Sequence, residues 1–288
     1  MMNVLEKYLN PIYRDDIIPL DNSTLFVCSG MQQYKEKFRN VDYSRISTIQ
    51  SCIRTNDLDL VGDGTHLTSF QMVGNFSFGN NDYSRSVDLW KQILSDLNIK
   101  DYVVHIHPES NLKQYWENTV DDLECVWSDG GIGGYCSEIY IGDLEIGNLV
   151  NPLGHSTDVG FGLERILQVM EGKTRVDETS LFDQTLPPVV RDHYRTLLLM
   201  KKNGVKPGSG KGRPSICRRL MKKVLSHDLV GLEDWLESER IIRNKKMIIG
   251  KQQWDKPKNK IKPLSWWWEV FGITEEDLEE VKRLDNME

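Results

Sequence analysis

The spacing of apolar residues divides the chain into a strand-rich first half and a helix-rich second half. Between residues 23 and 80, the apolar, β-branched or aromatic runs TLFVC, ISTIQSCI and TSFQMVGNFSF are separated by Gly, Asn and Asp. Such runs are typical of strands joined by loops. The segment YVVHIH predicts another strand, and SEIYIGDLEIGNLV predicts two strands around a tight turn.

Helical spacing begins at residues 84–98 and dominates from residue 189 onward. The first of these helices is predicted from one shared face, formed by Val87, Trp90, Ile93, Leu94 and Leu97. GLERILQVMEG, VVRDHYRTLLLMKK and SICRRLMKKVL predict further helices. Thr274, with Asp277 three residues later, predicts the N-cap of the last helix. Strands first and helices later favour an α+β fold over alternating βαβ units.

The composition is that of a folded chain without a membrane segment. Of its 288 residues, 39% are hydrophobic and 27% are charged, and no apolar run reaches the length of about 18 residues that a membrane span needs. Acids and a proline interrupt the N-terminal MMNVLEKYLNPIYRDD, which is unlike a secretory signal. Five irregularly spaced cysteines without a CxxC pair predict reduced thiols, a cytoplasmic location and no zinc.

Charge is strongly segregated along the chain, although the formal total is only −7. Residues 1–200 carry a net −13, residues 201–262 a net +12, and residues 263–288 a net −6. The segment 201–223 contains nine bases and no acid. It is either a solvated basic surface or a surface that binds a phosphate backbone by counterion release.

Two motifs that suggest a ligand do not match their patterns. In GVKPGSGKG, Gly204 lies six residues before Gly210 where a P-loop needs five, and Gly212 replaces the Ser or Thr that would hold Mg²⁺. His105 and His107 would share one face of a strand, but no third ligand has comparable spacing. Structural or surface histidines are therefore the preferred interpretation.

A strand–helix junction at Gly160–Arg165 is more specific. Its glycines allow close approach to a ligand, and Arg165 at the helix start would point a fork of donors at phosphate. Upstream, Arg54 lies on one predicted strand and the aromatic residues of TSFQMVGNFSFG lie on the next. Together they could hold an α-phosphate and stack an adenine.

These motifs and their order resemble the aminoacylation core of alanyl-tRNA synthetases, which are class II aminoacyl-tRNA synthetases. The matching strings include YSRISTIQSCIRTNDLDLVG, TSFQMVGNFSFG, GIGGYCSEI, EIGNLV and STDVGFGLERI. The resemblance covers about residues 20–225 of this chain and about the first third of a typical family member. It implies an antiparallel class II sheet with flanking helices. It also implies ATP and Mg²⁺, activation of alanine at the α-phosphate, and transfer to the terminal ribose of tRNA.

The resemblance also assigns roles to individual residues. Arg54 matches the arginine on the α-phosphate, and Arg165 the arginine on the distal phosphates. The adenine would pack on Phe70 and Met72, with Gly162 beside the nucleotide. Asp158 matches the partner of the substrate ammonium, and Asn148, Val150 and Gly160 border the amino acid.

The family also binds the tRNA acceptor stem through the helices that follow its catalytic core. The matching basic residues are Arg213, Arg218, Arg219, Lys222 and Lys223. We therefore expect an adenylate-forming domain at 1–185, a basic acceptor-stem region at 186–262 and a Trp-rich acidic helix at 263–288. The three tryptophans Trp266–Trp268 either dock that helix or anchor a partner, and at least one should be exposed. The acidic helix could also shield the basic region when RNA is absent.

Departures from the family pattern cluster at the expected site. Gln71 replaces a Glu, Gly147 replaces a Trp, and Ile132–Cys136 replaces a Pro-Cys-Gly-Pro-Cys pattern. The loop after Arg54 is about four residues shorter than usual and lacks a common lysine. Loss of the Trp could enlarge the pocket, or Trp127 could refill it. No HxxxH with a distant Cys-His pair is present, so no zinc-bearing editing domain is expected.

Three functions follow from the sequence. The first is an editing-free ligase that joins alanine, or a similar small amino acid, to tRNA. The second keeps adenylate formation but passes the aminoacyl group to another acceptor. The third is a non-catalytic paralogue that binds tRNA, against which the retained Arg54, Asp158 and Arg165 speak.

Overall fold

The computed structural model describes residues 1–56, 58–271 and 273–285. These fall into two compact units, Met1–Cys217 and the part that begins at Arg218. None of the described helices is long and apolar enough to cross a membrane.

The first unit is built on a sheet that contains nine strands within the described residues. The strands are β1 (Ile12–Arg14), β2 (Arg45–Ile53), β3 (Ser69–Ser77), β4 (Val103–Ile106), β5 (Thr119–Asp121), β6 (Val126–Asp129), β7 (Ile132–Ile141), β8 (Leu144–Val150) and β9 (Thr157–Gly162). Their order is β1-β2-β3-β9-β8-β7-β4-β5, and β6 pairs with β7. The pairs from β2 to β4 are antiparallel, and only the edge pairs β1/β2 and β4/β5 are parallel.

Helices flank this sheet and form the second unit. They are α1 (Met2–Leu9), α2 (Lys35–Asn40), α3 (Tyr83–Asp96), α4 (Leu163–Met170), α5 (Pro188–Lys202), α6 (Arg213–Val224), α7 (Glu233–Trp254), α8 (Pro257–Lys260), α9 (Leu264–Phe271) and α10 (Glu275–Asp285). Short 3-10 turns lie at Gly30–Tyr34, Leu112–Tyr115, Pro152–Gly154 and Val176–Glu178. The predicted α+β class is confirmed.

The two faces of the central sheet have different partners. Side chains alternate along each strand, so Val73, Leu149, Val159 and Phe161 share one face and join the main core with the apolar side of α3. Within that core the indole of Trp90 stacks on the ring of Phe161, with centroids 3.8 Å apart and planes within 4°. The opposite face carries the polar and small residues of the predicted site.

The strand predicted at TLFVC is wrong, although its residues are buried. Phe26 and Val27 are 2% and 0% exposed, but they lie in a loop. The Val27 amide donates to Ile17 and its carbonyl accepts from Ile53, which are isolated bonds rather than a ladder. Apolar residues in this segment therefore indicate burial without indicating a strand.

Helix α5 lies in the sheet-containing unit, which extends to Cys217. Thr68 donates from its backbone amide and its hydroxyl to the buried Asp192, at 2.9 and 2.6 Å. Thr196 donates to the Ser69 hydroxyl at 2.8 Å. Two polar contacts thus attach α5 to the start of β3.

The second unit contains the tryptophan-rich segment, whose residues 272 and 286–288 lie outside the described part of the chain. Trp267 is fully buried and packs against Trp254 of α7, with ring centroids 5.9 Å apart. Trp268 is 57% exposed, which confirms that the three tryptophans do not share one core. The predicted cap of α10 is confirmed, because Thr274 and Asp277 exchange backbone-to-side-chain bonds of 3.1 and 3.2 Å.

Candidate active site

A cavity of about 370 Å³ opens on the sheet face opposite α3. It brings together most of the site residues predicted from sequence: Arg54, Phe70, Met72, Trp127, Asn148, Gly160, Gly162 and Arg165. These residues come from β2/β3, β6, β8, β9 and α4, so only the folded sheet makes them neighbours. Three carboxylates also line the cavity, those of Glu138, Glu145 and Glu164.

Arg54 is held at the end of β2 by neutral groups. Its Nε donates to the Cys28 carbonyl at 3.2 Å, and its guanidinium carbon lies 4.9 Å from the centroid of the Phe70 ring. Among the described residues, no carboxylate forms a salt bridge with it. A guanidinium positioned in this way is available to an anion.

Arg165 reaches the same cavity from the first turn of α4 and is anchored at its base. Its Nη1 donates to the Glu145 carbonyl at 2.7 Å and approaches the Glu145 carboxylate at 3.3 Å. Glu145 lies on β8, so this contact ties the helix start to the sheet. The side chain is one-third exposed, which leaves part of the guanidinium accessible from the cavity.

Glu164 is a site residue that the sequence prediction missed. Its buried carboxylate accepts the Gln71 backbone amide at 3.0 Å to each oxygen and pairs with Arg195. The contact with Gln71 uses the backbone, so it does not depend on the unusual side chain at that position. The glutamate beside Arg165 in the GLER string was the available signal.

The residues predicted to contact the substrate amino acid form two neighbouring cross-strand pairs between β8 and β9. Asn148 pairs with Gly160, and one step further Val150 pairs with Asp158. A Cβ at Gly160 would lie 3.1 Å from the Met72 sulfur and 3.7 Å from the Asn148 amide oxygen, so glycine keeps the floor low. Asn148 and Gly160 line the cavity, and Val150 and Asp158 form the neighbouring pair of the same two strands.

Asp158 is a buried carboxylate without a cation. It is 7% exposed, and no hydrogen bond to it is found among the described residues. Burial, with the nearby Asp129 as a second cause, raises the pKa of Asp158 to about 7. Asp129 itself is neutralised by Lys35, at 2.9 Å. A cation that reached Asp158 would therefore be strongly favoured.

The space next to Gly147 is occupied by an aromatic ring of the core. A Cβ at this position would lie 2.4 Å from the Phe161 ring, the ring that stacks on Trp90. Phe161 therefore fills the space beyond Gly147 on the core side of the sheet. Trp127 lines the cavity from β6 and packs on the cluster of Cys125, Cys136 and Val150.

Comparison with known proteins agrees with this arrangement. Residues 7–149 match the sequence model of the family described as tRNA synthetases class II (A). The chain is 32% identical over 292 aligned residues to the alanine–tRNA ligase of Desulfitobacterium hafniense strain Y51, covering 75% of this chain and 33% of that protein. It is also 32% identical over 294 residues to the enzyme of that name from Bradyrhizobium diazoefficiens, covering 76% and 33%.

This chain belongs to the class II (A) tRNA synthetase family. It spans about a third of the length of the curated relatives that it matches. A pyrrolysyl-tRNA synthetase structure, Desulfitobacterium hafniense PylSc, is similar at a TM-score of 0.37 and 18% identity over 54% of this chain and 53% of that one. The predicted class II sheet, antiparallel with flanking helices, is confirmed.

The basic residues predicted to contact tRNA are not equivalent in this synthetase chain. Arg213 donates to the Leu25 carbonyl within the first unit. In the second unit, Arg218 donates from Nε to both carboxylate oxygens of Glu239, at 2.8 and 2.9 Å, and both side chains are largely buried. Lys222 is exposed, and Lys223 lies 3.6 Å from Glu276. The structure thus places Arg218 in a largely buried ion pair.

Proposed function

We propose that this chain activates alanine, or a similarly small amino acid, with ATP and transfers it to the 3′ end of tRNA. The observation that carries the proposal is the convergence of Arg54 and Arg165 in one cavity, with Asn148 and Gly160 on its floor. Two accessible guanidinium groups in one cavity favour a polyphosphate ligand.

In the first step, a carboxylate oxygen of the amino acid attacks the α-phosphorus of ATP and pyrophosphate leaves. Arg54, stacked near Phe70, is placed to hold the α-phosphate beside the adenine. Arg165, anchored by Glu145, is placed to hold the departing phosphates. Such a displacement needs in-line positioning and charge neutralisation more than proton transfer.

The carboxylates of the cavity are compatible with Mg²⁺, which prefers oxygen ligands and shares substrate phosphates. Glu145 lies beside Arg165, where an ion on the distal phosphates would meet it. Bound there, Mg²⁺ would neutralise phosphate charge. The chain's own contribution is to keep Glu145 and Arg165 in a fixed relative position.

The amino acid would bind over the neighbouring cross-strand pairs that contain Asn148 and Val150. The proposed partner of its ammonium is Asp158, which is buried and has no cation of its own. Trp127 and Val150 limit the size of the side chain that fits beside it. Apolar pockets discriminate by only about 1–3 kcal/mol per methylene, so we expect measurable activation of glycine and serine.

In the second step, a hydroxyl of the terminal ribose attacks the aminoacyl carbonyl and AMP leaves. The exposed Lys222 and the other bases of α6 and α7 would contact the acceptor stem. RNA helices are recognised largely through backbone and minor-groove shape, which suits a basic helical surface.

The structure also favours a second candidate, adenylate formation with transfer to an acceptor other than tRNA. Arg218 is bound to Glu239, and acids of α10 pair with Lys223, Arg243 and Lys260. These ion pairs reduce the number of unpaired cations that the second unit offers to RNA. This candidate keeps every step at the cavity and changes only the acceptor.

The decisive experiment measures ATP–pyrophosphate exchange with each amino acid, followed by charging of alanine tRNA. We expect alanine-dependent exchange and charging, both reduced at least about 100-fold in Arg165→Ala. Arg85→Ala is the matched control, because Arg85 is exposed on α3, on the opposite side of the sheet. Exchange without charging would select the second candidate. Full activity of Arg165→Ala would reject both.

A further inference from the structure

Two cysteines and a glutamate converge at the β7 edge of the cavity. The sulfurs of Cys125 and Cys136 and a carboxylate oxygen of Glu138 all lie within 4.8 Å of one another. Both cysteines are buried, at 0% and 1% exposure. Glu138 is half-buried and lines the cavity.

A hairpin creates this cluster, which explains why spacing along the sequence does not reveal it. The turn between β6 and β7 contains Gly130 and Gly131 with φ of +60° and +82°, values that suit a two-residue hairpin turn. Cys125 directly precedes β6, and its carbonyl accepts the Cys136 amide at 3.0 Å. Cys136 and Glu138 lie two residues apart on the same face of β7.

The separation between Cys136 and Glu138 is close to the one that a tetrahedral ion requires. The Cys136 sulfur lies 3.5 Å from Glu138 Oε1. Bonds of about 2.3 Å to sulfur and about 2.1 Å to oxygen, at tetrahedral angles, separate the two ligand atoms by about 3.6 Å. The other carboxylate oxygen, Oε2, accepts the Tyr140 hydroxyl at 3.2 Å, an outer contact that would orient the ligand.

We propose that Cys125, Cys136 and Glu138 bind a zinc-class divalent ion with one coordination position open to the cavity. Two thiolates with one carboxylate select zinc over magnesium or calcium. Three protein ligands leave a fourth position, which zinc sites that bind substrate keep open. That position faces the cavity because Glu138 lines it, whereas both cysteines are buried.

The ion would lie beside the proposed amino-acid site. Cys136 pairs with Val150 and Glu138 pairs with Asn148, the two residues expected to border the amino acid. A small amino acid could therefore reach the open position through its neutral amino group, an alternative anchor to Asp158. This use of the ion rests on the proposed function, whereas metal binding itself does not.

The first test is metal content of the purified full chain, measured by mass spectrometry after exhaustive dialysis. We expect about one zinc per chain in the parent, none in Cys125→Ser or Cys136→Ser, and parental content in the control Cys28→Ser. Tyr140→Phe should weaken binding roughly 10-fold, through loss of the orienting bond. Circular dichroism verifies that each variant is folded, and Glu138→Gln provides a milder test that retains both thiols.

The second test replaces zinc with cobalt and records the absorption spectrum. A thiolate-to-cobalt band should appear in the parent and be lost in Cys136→Ser. Alanine should change the ligand-field bands in the parent and in Asp158→Asn if the open position faces the amino acid. A cobalt spectrum that no amino acid alters would overturn the open position. Metal content equal in the parent and in folded Cys125→Ser, or a Cys125–Cys136 disulfide in the metal-free native chain, would overturn the site.

Discussion

Asp158 lies opposite Val150 in the β8/β9 register and is buried beside Asp129. Lys35 forms a salt bridge with Asp129 but not with Asp158. The pKa of Asp158 is raised from 3.8 to about 7 by burial first and by Asp129 second. The folded protein therefore holds this proton more tightly than the unfolded chain does. The linkage relation then requires stability to fall as pH rises between these two values.

The first prediction follows from this loss of stability with rising pH. Asp158→Asn should be more stable than the parent at pH 8, by an amount that shrinks as pH falls towards 4, because the parent carboxyl is then neutral. The gain should be a few kcal/mol at most. Urea unfolding at a series of pH values measures it. A constant difference across that range would contradict the assigned burial effect.

The second prediction concerns substrate affinity at the same residue. An ammonium pairs only with ionised Asp158, so KM for the amino acid should fall as pH rises from 6 to 8. In Asp158→Asn, KM should be at least about 10-fold higher, and this dependence should be lost. Exchange assays at saturating ATP separate the amino-acid effect from that on ATP. A pH-independent KM in the parent would argue against Asp158 as the ammonium partner.

A third prediction tests how Glu145 positions Arg165. Glu145→Gln keeps the backbone carbonyl that accepts Arg165 but removes the carboxylate 3.3 Å away. We expect KM for ATP to rise roughly 10-fold while KM for the amino acid is unchanged, as expected for loss of one charge-assisted contact. Asp88→Asn, a change to an exposed acid of α3 on the opposite side of the sheet, is the control. An equal rise in both KM values would indicate general damage instead.

The fourth prediction concerns packing at Gly147. A Cβ there meets the Phe161 ring at 2.4 Å, and Trp90 on the far side of that ring prevents it from moving away. Gly147→Ala should lower the free energy of unfolding by about 1–3 kcal/mol, the usual cost of overpacking. Gly162→Ala, whose Cβ would have nothing nearer than 3.5 Å, should cost less. Equal stability of the two variants would show that the core adapts more readily than the structure indicates.

Gly147 also shows that the effect of a residue can depend on a neighbour that the sequence does not reveal. Its difference from the family pattern was visible, but its consequence depended on a neighbour across the sheet, Phe161, that no spacing rule links to it. The two arginines predicted to bind phosphate do lie in one cavity. Each belongs to a short motif at the end of a strand or the start of a helix, where the local sequence determines the backbone geometry. Asp158 was predicted to pair with the substrate ammonium, and only the register shows that it lies in the pair next to Asn148 and Gly160.

The cysteine cluster and Arg218 illustrate the same limit for longer-range contacts. Cys125 and Cys136 are eleven positions apart, and the hairpin turn rather than a ligand motif brings them together. The basic segment 201–223 was identified from charge alone. Charge could not show that Arg218 would be bound to Glu239, since ion-pair partners twenty-one residues apart follow from helix packing.

The last prediction separates structural from RNA-binding cations in the second unit. Arg218→Ala leaves Glu239, which is 4% exposed, buried without its partner, so it should destabilise the protein by about 3–5 kcal/mol. Lys222→Ala removes an exposed charge, so it should leave stability within about 0.5 kcal/mol and weaken tRNA binding. The slope of log binding constant against log salt concentration should also become shallower, by the amount expected for one phosphate contact.

Thermal melts and fluorescence titrations at several salt concentrations measure these two effects independently. If Lys222→Ala binds tRNA like the parent at every salt concentration, this helix face does not contact the RNA backbone. If Arg218→Ala is as stable as the parent but binds tRNA less tightly, the pair with Glu239 opens when RNA binds. Arg218 would then have the role expected from its sequence position, and Lys223 and Arg243, which pair with acids of α10, would be the next to exchange those acids for phosphate.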